Sequence, residues 1–339
     1  MRLPKPHQIP SCDPVSFGRI GSLSGWSYPH ESLKPVKKSG DLLRQGKRRR
    51  YEFMMQHRKQ WPLRVMARVL RVSVSGYYGW RHRTPSARAQ RRAMIDGEVV
   101  RIFEASHSVY GSRKITQSLD GTPHQSCRST VLQSMKRLGL QAFSQRKKRV
   151  RTTYADQSRS CAPNTLDRNF SPRKPDLAWA ADITYVRTKT GWAYVSVILD
   201  LFSRKVIGWH VDQSLETSLV ERALDKALAT RSPNDGMIHH SDRGIQYTSN
   251  RYREILEKRK IVCSMSRTGE CYDNAVAERF FASLKCEWTN RHSYRNLEEL
   301  NTSLFWYIEI FYNRKRIHQT LGYTSPEAYE ASFASQEVA

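Results

Sequence analysis

The chain has 339 residues, and its 57 Lys and Arg side chains outnumber 31 Asp and Glu, for a formal net charge of +26. That length predicts two or three domains. The six cysteines form no Cys-x-x-Cys pair, which argues against a zinc module or a disulfide framework and favours a reducing cytosol. No apolar run approaches the roughly 20 residues that span a bilayer, and no signal peptide is expected, so membrane proteins are excluded.

The positive charge is concentrated in one half of the chain. Residues 1–170 hold 34 basic and 10 acidic side chains, whereas residues 171–339 hold 23 and 21. This asymmetry predicts a nucleic-acid-binding arm joined to a catalytic body, with a solubilising tail as the alternative. Interleaved aromatic and apolar residues favour nucleic-acid binding. Residues 1–46, rich in Pro, Ser, Gly and Lys, are expected to be disordered or outside the functional core.

Residues 47–84 resemble the outline of a helix-turn-helix. Apolar residues recur at helical spacing, a polar break is expected at 73–76, and a second helix is expected to follow. In such a unit Ser73, Ser75 and Tyr77 would face phosphates or base edges. An ordinary helical hairpin fits this segment equally well.

A second helical DNA-binding domain, similar to a helix-turn-helix, is predicted at 86–143. Helices are expected at 86–106, 110–119 and 126–138, the last closed by Gly139. The basic side chains expected to contact DNA here are Arg113, Lys114, Arg128, Lys136 and Arg137.

A basic, proline-containing linker is predicted at 144–175. Its charge density is typical of a segment that follows a phosphate backbone and does not read bases. The expected contacts are Arg146, Lys147, Lys148 and Arg149.

The catalytic core is predicted at 176–290, with a C-terminal helix and tail at 291–339. Its strands are expected at 182–186, 193–200, 205–211, 237–241 and 261–265, with helices at 217–229, 249–258, around Glu278, and at 297–312. Three adjacent strands followed by alternating helices and strands predict an α/β, ribonuclease-H-like fold with a five-stranded mixed sheet.

Three carboxylates on separate elements are the candidate metal site. Asp182 is expected near the sheet centre, Asp242 at the end of the fourth strand, and Glu278 on a helix 35 residues beyond Asp242. Carboxylate oxygens suit Mg²⁺, and two such ions can activate and stabilise the oxygens of a phosphodiester displacement. Lys285, two helical turns after Glu278, is expected to hold a DNA phosphate.

Neighbouring polar residues are expected to have other roles. Asp200 is interpreted as a structural residue that bonds backbone groups, Asp273 as a turn or helix-cap residue, and Glu287 as a solvated side chain. His239 and His240 adjoin the site, and His240 is a candidate for positioning DNA or water.

Five sequence motifs occur in order along the chain. They are Trp179-x-x-Asp182-Ile183-Thr184-Tyr185, Leu199-Asp200-Leu201-Phe202-Ser203-Arg204, His240-Ser241-Asp242-Arg243-Gly244, Asp273-Asn274-Ala275-x-Ala277-Glu278 with Lys285, and Tyr312-Asn313-x-x-Arg316-x-His318. Over about residues 51–330 the chain is similar to the OrfB product of insertion-sequence family three, a DDE transposase whose core is shared with retroviral integrases.

The resemblance implies that Asp182, Asp242 and Glu278 are the catalytic triad and metal ligands, with Lys285 as their basic partner. It implies DNA strand cleavage and transfer of the freed 3′-hydroxyl, with Mg²⁺ or its substitute Mn²⁺. It further implies double-stranded partners (terminal inverted repeats and target DNA), a homo-oligomer on DNA, an OrfA-type partner or fusion, and a place in the bacterial cytosol or nucleoid.

Two other functions remain open. One is a regulator of transposition that binds DNA but has an inactive core, which the intact acidic residues oppose. The other is a plain nuclease of the ribonuclease-H type, which would not need two basic helical modules.

Overall fold

The computed structural model describes residues 43–143, 162–267 and 271–337. Internal contacts divide the chain into one compact unit that ends at Ala87 and a second that begins at Arg88. In the described segments no helix is long and apolar enough to cross a membrane. The predicted basic contacts Arg146, Lys147, Lys148 and Arg149 lie outside the described residues, as does most of segment 1–46.

The first unit contains three short helices, α1 Lys47–Gln56, α2 Leu63–Val69 and α3 Val74–Arg81. The Gly76 N–H donates to Ser73 Oγ at 3.0 Å and caps α3, so the predicted break at 73–76 is wrong and most of it is helical. Tyr77 is fully buried. The expectation that its side chain faces DNA is therefore also wrong.

Three further helices open the second unit: α4 Ala87–Ala105, α5 Ser112–Ser118 and α6 Arg128–Arg137. All three predicted helices are confirmed, with the last two shorter than expected. Gly139 follows α6 with a φ of +68°, a conformation that glycine adopts without steric cost. The apolar faces of α4, α5 and α6 join the main core of this unit.

A five-stranded mixed sheet forms the centre of the second unit in its described part, as the sequence predicts. The strands are β1 Ala178–Thr188, β2 Gly191–Asp200, β3 Val206–Asp212, β4 Ile238–Ser241 and β5 Val262–Met265. Their order is β3-β2-β1-β4-β5, in which β1, β2 and β3 are antiparallel neighbours, and β4 runs parallel to β1 and β5. This order places the end of β4 beside β1.

Helices cover both faces of the sheet. Helices α7 Thr217–Thr230 and α8 Asn250–Lys258 pack with one set of strand residues. Gly208 is required there, because a Cβ would lie 2.3 Å from the Ala223 carbonyl oxygen. The opposite face packs against α9 Ala275–Glu287 and α10 Leu297–Phe305, together with the helices that open this unit. Alternate residues of the strands therefore belong to two separate cores.

The C-terminal region is more structured than the predicted helix and tail. Helix α10 continues as a π-helix, Trp306–Tyr312, and a further helix, α11 Pro326–Glu337, follows. Asn313 joins this region to the sheet: its side chain accepts from the Val206 N–H at 3.0 Å and donates to the Val206 carbonyl at 2.9 Å. The region thus packs on the edge strand β3.

Candidate active site

Asp182 lies within β1, opposite Val197 of β2, and is partly exposed. Its Oδ1 accepts the Ile183 N–H at 2.8 Å. Burial raises the pKa of Asp182 well above its ordinary value, and the negative charges of Asp242 and Glu278 raise it further. The Ile183 hydrogen bond and the Lys285 charge lower that pKa and only partly offset the increase.

Asp242 directly follows β4, which pairs with β1 through Ala178 and Ala180. Its Oδ1 accepts the Gly244 N–H at 2.9 Å. A Cβ on Gly244 would also lie 2.9 Å from that oxygen, so the tight turn favours glycine. Burial raises the Asp242 pKa. The parallel strand pair therefore delivers a second acidic group to the neighbourhood of Asp182.

Glu278 lies in the first turn of α9, and its side chain is exposed. Partial burial raises its pKa. The buried face of α9 packs through Ala277, Phe280 and Leu284. Since that packing fixes the helix axis, the exposed face carrying Glu278 keeps its direction relative to β1.

Lys285, two turns further along α9, places its Nζ 4.5 Å from the centre of the Tyr185 ring. Burial lowers the pKa of Lys285, and the charge of Asp182 raises it. The structure thus joins Asp182, Asp242, Glu278 and Lys285 through electrostatic interactions, as the sequence places them.

The three acids have the ligand chemistry that a divalent metal ion needs. All three acids offer oxygen ligands, and Asp182 experiences repulsion from both others, which a divalent cation would reverse. Within the described ranges, however, no three His, Cys, Asp or Glu side chains form a cluster arranged to hold a metal ion.

The two histidines that precede Asp242 are buried. Tyr252 Oη is 2.7 Å from His239 Nε2, and the ring nitrogens of His240 are 2.9 and 3.2 Å from the hydroxyls of Ser264 and Ser266. Burial lowers the pKa of His239 to about 3 and that of His240 to about 4. The suggestion that His240 positions DNA or water is therefore wrong: it is a neutral residue that links β4 to β5.

Three other acids have structural contacts. Asp200 accepts backbone N–H groups from Asp176 and Phe202, each at 2.7 Å, which confirms its structural role. Asp273 accepts from Arg168 Nε at 2.8 Å, from the Arg267 N–H at 2.9 Å and from the Asn164 amide at 2.9 Å. Its interpretation as a helix cap is wrong, because its carboxylate binds Arg168 and Asn164, which are distant in sequence, and the loop at Arg267.

Glu287 is buried, so the expectation that it is solvated is wrong. Arg316 holds it with two hydrogen bonds, at 2.7 Å from Nε and 2.5 Å from Nη2, and Tyr307 Oη donates at 2.9 Å. Both partners come from beyond residue 300, where local sequence spacing cannot show them.

The predicted DNA contacts of the helical domain differ in accessibility. Arg113, Arg128 and Lys136 are exposed. Arg137 is also exposed but pairs with Asp96, with Nη2 2.5 Å from Oδ1. Lys114 is partly buried, with Nζ 4.9 Å from the Tyr110 ring, and burial lowers its pKa to about 7. Two of the five expected contacts are therefore engaged within the protein.

A basic groove between α4 and α6 was missed by the sequence interpretation. It has a volume of about 410 Å³, and its lining includes Arg88, Arg91 and Arg92 of α4 with Gln125 and Gln133. Their spacing of three and four residues along a predicted helix is the signal that could have found this face.

Known proteins share both parts of the second unit. Residues 172–271 and 259–326 match the family description "Integrase core domain", and residues 88–149 match "HTH-like domain". Transposase InsF for insertion sequence IS3A from Escherichia coli (strain K12) is 38% identical over 283 residues, 83% of this chain and 98% of that relative. The insertion element IS600 uncharacterized 31 kDa protein from Shigella sonnei is 37% identical over 268 residues, covering 79% and 98%.

Among solved structures, the HTLV-2 integrase catalytic core domain in complex with magnesium (trimeric form) is similar at 16% identity and a TM-score of 0.38. That match covers 47% of this chain and 98% of the integrase chain.

Proposed function

We propose that this chain, which belongs to the family of the IS3 InsF transposases, binds the ends of its own insertion sequence and catalyses metal-dependent strand cleavage and strand transfer there. Family membership makes it a transposase with an integrase core and an HTH-like domain. What we propose is which DNA the chain binds and which of its side chains take part in the reaction. The principal support for this proposal is the raised pKa of Asp182, which burial and the charges of Asp242 and Glu278 increase.

The electrostatics of the acidic residues support a cation-dependent reaction. Three like charges brought together by separate elements destabilise the folded chain unless protons or cations neutralise them. In our proposal Asp182, Asp242 and Glu278 hold Mg²⁺, or Mn²⁺ as its substitute. When bound, the metal would activate the attacking oxygen and stabilise the leaving one. Lys285 would hold a phosphate of the reacting strand.

The basic helical domain supports a DNA substrate. Arg113, Arg128 and Lys136 extend into solvent and are available to contact phosphates. The groove that contains Arg91 and Arg92 adds to this surface. We propose that these residues hold duplex DNA, and the linker residues 146–149 stay a prediction of the sequence. Two copies of the chain would hold two element ends, with an OrfA-type protein as a further partner, in the bacterial cytosol or nucleoid.

A strand-transfer assay tests this function. The full chain would be incubated with labelled DNA from its element ends, a target plasmid and Mg²⁺, with EDTA as the metal-free control. Joined products are expected. Hydrolysis without joining would instead indicate a nuclease, and a mobility shift without cleavage would indicate a regulator.

A further inference from the structure

Two adjacent exposed aromatic rings on β1 and β2 each have a cation beside them. Tyr185 and Trp192 keep 40% and 47% of their surface exposed, and their ring centroids are 5.2 Å apart at an interplanar angle of 87°. Lys285 Nζ lies 4.5 Å from the Tyr185 ring, and Arg187 Cζ lies 5.0 Å from the Trp192 ring. We name these four residues the aromatic platform.

The platform belongs to the hairpin of β1 and β2. Arg187 and Trp192 are directly opposite each other in the antiparallel register. Strand β4 pairs with β1 only from Ala178 to Ala180, so the part of β1 that carries Tyr185 has no β4 partner beside it. Lys285 of α9 therefore contacts Tyr185 at an edge that β4 leaves uncovered.

The position of the platform relates it to the reacting phosphate. Tyr185 follows Asp182 by three residues of β1, about 10 Å along the strand, and the alternation of side chains places the two on opposite faces of the sheet. Lys285, at the uncovered edge of β1, relates the two, because it contacts the Tyr185 ring and also interacts electrostatically with Asp182.

We propose that this platform binds unpaired nucleotides of the DNA strand next to the scissile phosphate, by stacking bases on Trp192 and Tyr185. Every base has a π-face that stacks on an aromatic side chain, and nearby cations attract the phosphates on either side. A duplex keeps its bases stacked on one another, so the platform favours a single-stranded segment. The inference deepens the proposed function, because it concerns the same DNA.

Binding is measured without Mg²⁺, so that no chemistry takes place. The probes are a fluorescent oligothymidylate containing one 2-aminopurine and a paired duplex of equal length, at about 0.2 M salt, where phosphate contacts are weakened. Trp192→Leu and Tyr185→Leu keep an apolar side chain but remove the ring. Phe305→Leu is the matched control, since Phe305 is 53% exposed on α10.

The wild type is expected to quench 2-aminopurine, and each platform variant is expected to abolish that quenching and to weaken oligothymidylate binding about tenfold. Duplex binding should change less than about twofold, and Phe305→Leu should behave as the wild type. Wild-type single-strand affinity in both variants, or an equal loss for the duplex, would overturn the inference. Trp192→Phe and Tyr185→Phe should restore binding if stacking is the cause.

The two proposals fail in different ways. Retention of strand transfer by a Glu278→Gln variant would reject the proposed carboxylate site and leave these metal-free affinities unaffected. A loss of single-strand binding in Trp192→Leu and Tyr185→Leu tests only the platform, because no metal is present and no chemistry takes place.

Discussion

The two ends of α9 place glutamates in opposite environments. Glu278, in the first turn, is exposed and adds its charge to a group of acids. Glu287, in the last turn, is buried and fully engaged by Arg316 and Tyr307. The front of α9, its first turn, thus carries an exposed carboxylate, and the rear, its last turn, carries a buried carboxylate that is neutralised by a cation. The partners of a carboxylate, more than its residue type, therefore decide whether it is available to a ligand.

The largest expected effect comes from the front of the helix. Glu278→Gln should lower strand transfer at least about a hundredfold, because it removes one of the charges proposed to hold metal. DNA binding measured by mobility shift should remain. Glu254→Gln, an exposed glutamate on α8, is the matched control and should retain activity. Strand transfer at the wild-type rate by Glu278→Gln would remove this residue from the mechanism.

At the rear, Arg316→Met should lower the free energy of unfolding by about 3–5 kcal/mol, because it leaves Glu287 buried without its cation. Urea denaturation measures this loss. The double variant Glu287→Gln with Arg316→Met should recover much of the stability, since no unpaired charge remains. A double variant that is no more stable than Arg316→Met would show that the ion pair does not explain the cost.

The thermal stability of the chain should also depend on pH and on Mg²⁺ through Asp182, the acid on β1 that interacts with Glu278. The pKa of Asp182 is higher in the folded chain than in the unfolded chain, where it is near 4. The stability that this group contributes is therefore present at pH values below its unfolded-state pKa, and it is lost as the pH rises through the folded-state pKa. Mg²⁺ should therefore raise the melting temperature at pH 7 and do so less at pH 5. Asp182→Asn should show little Mg²⁺ stabilisation at either pH. If Mg²⁺ raised the melting temperature of Asp182→Asn as much as that of the wild type, the metal would bind elsewhere.

The smallest expected effect is the pH dependence of stability that comes from Lys114, a second cation near Glu287 at the rear of α9. Burial and the Arg316 charge lower the pKa of Lys114 to about 7, below its unfolded value near 10.5. Between these values the unfolded chain binds the extra proton, so stability should rise with pH by at most about 1.4 kcal/mol per pH unit. Lys114→Met should reduce that slope in denaturation curves, whereas Arg113→Met, at an exposed site, should not.

Sequence patterns predicted most of the strands and helices because the causes of those patterns are local. Apolar alternation on β2 and helical spacing on α7 identified elements whose buried faces the structure confirms. The break predicted at 73–76 failed because a serine that starts a helix resembles a turn until its cap hydrogen bond is seen.

The sequence alone determined the five strands and most of the helices, the basic first half, and the three motif acids with Lys285. Only the tertiary structure decided which polar groups are available. It buried Tyr77 and His240, paired Glu287 with Arg316, and left Tyr185 and Trp192 exposed beside Lys285. The reason is physical: solvent exposure and charge pairing depend on segments far apart in sequence, whereas local periodicity shows only which residues share a face.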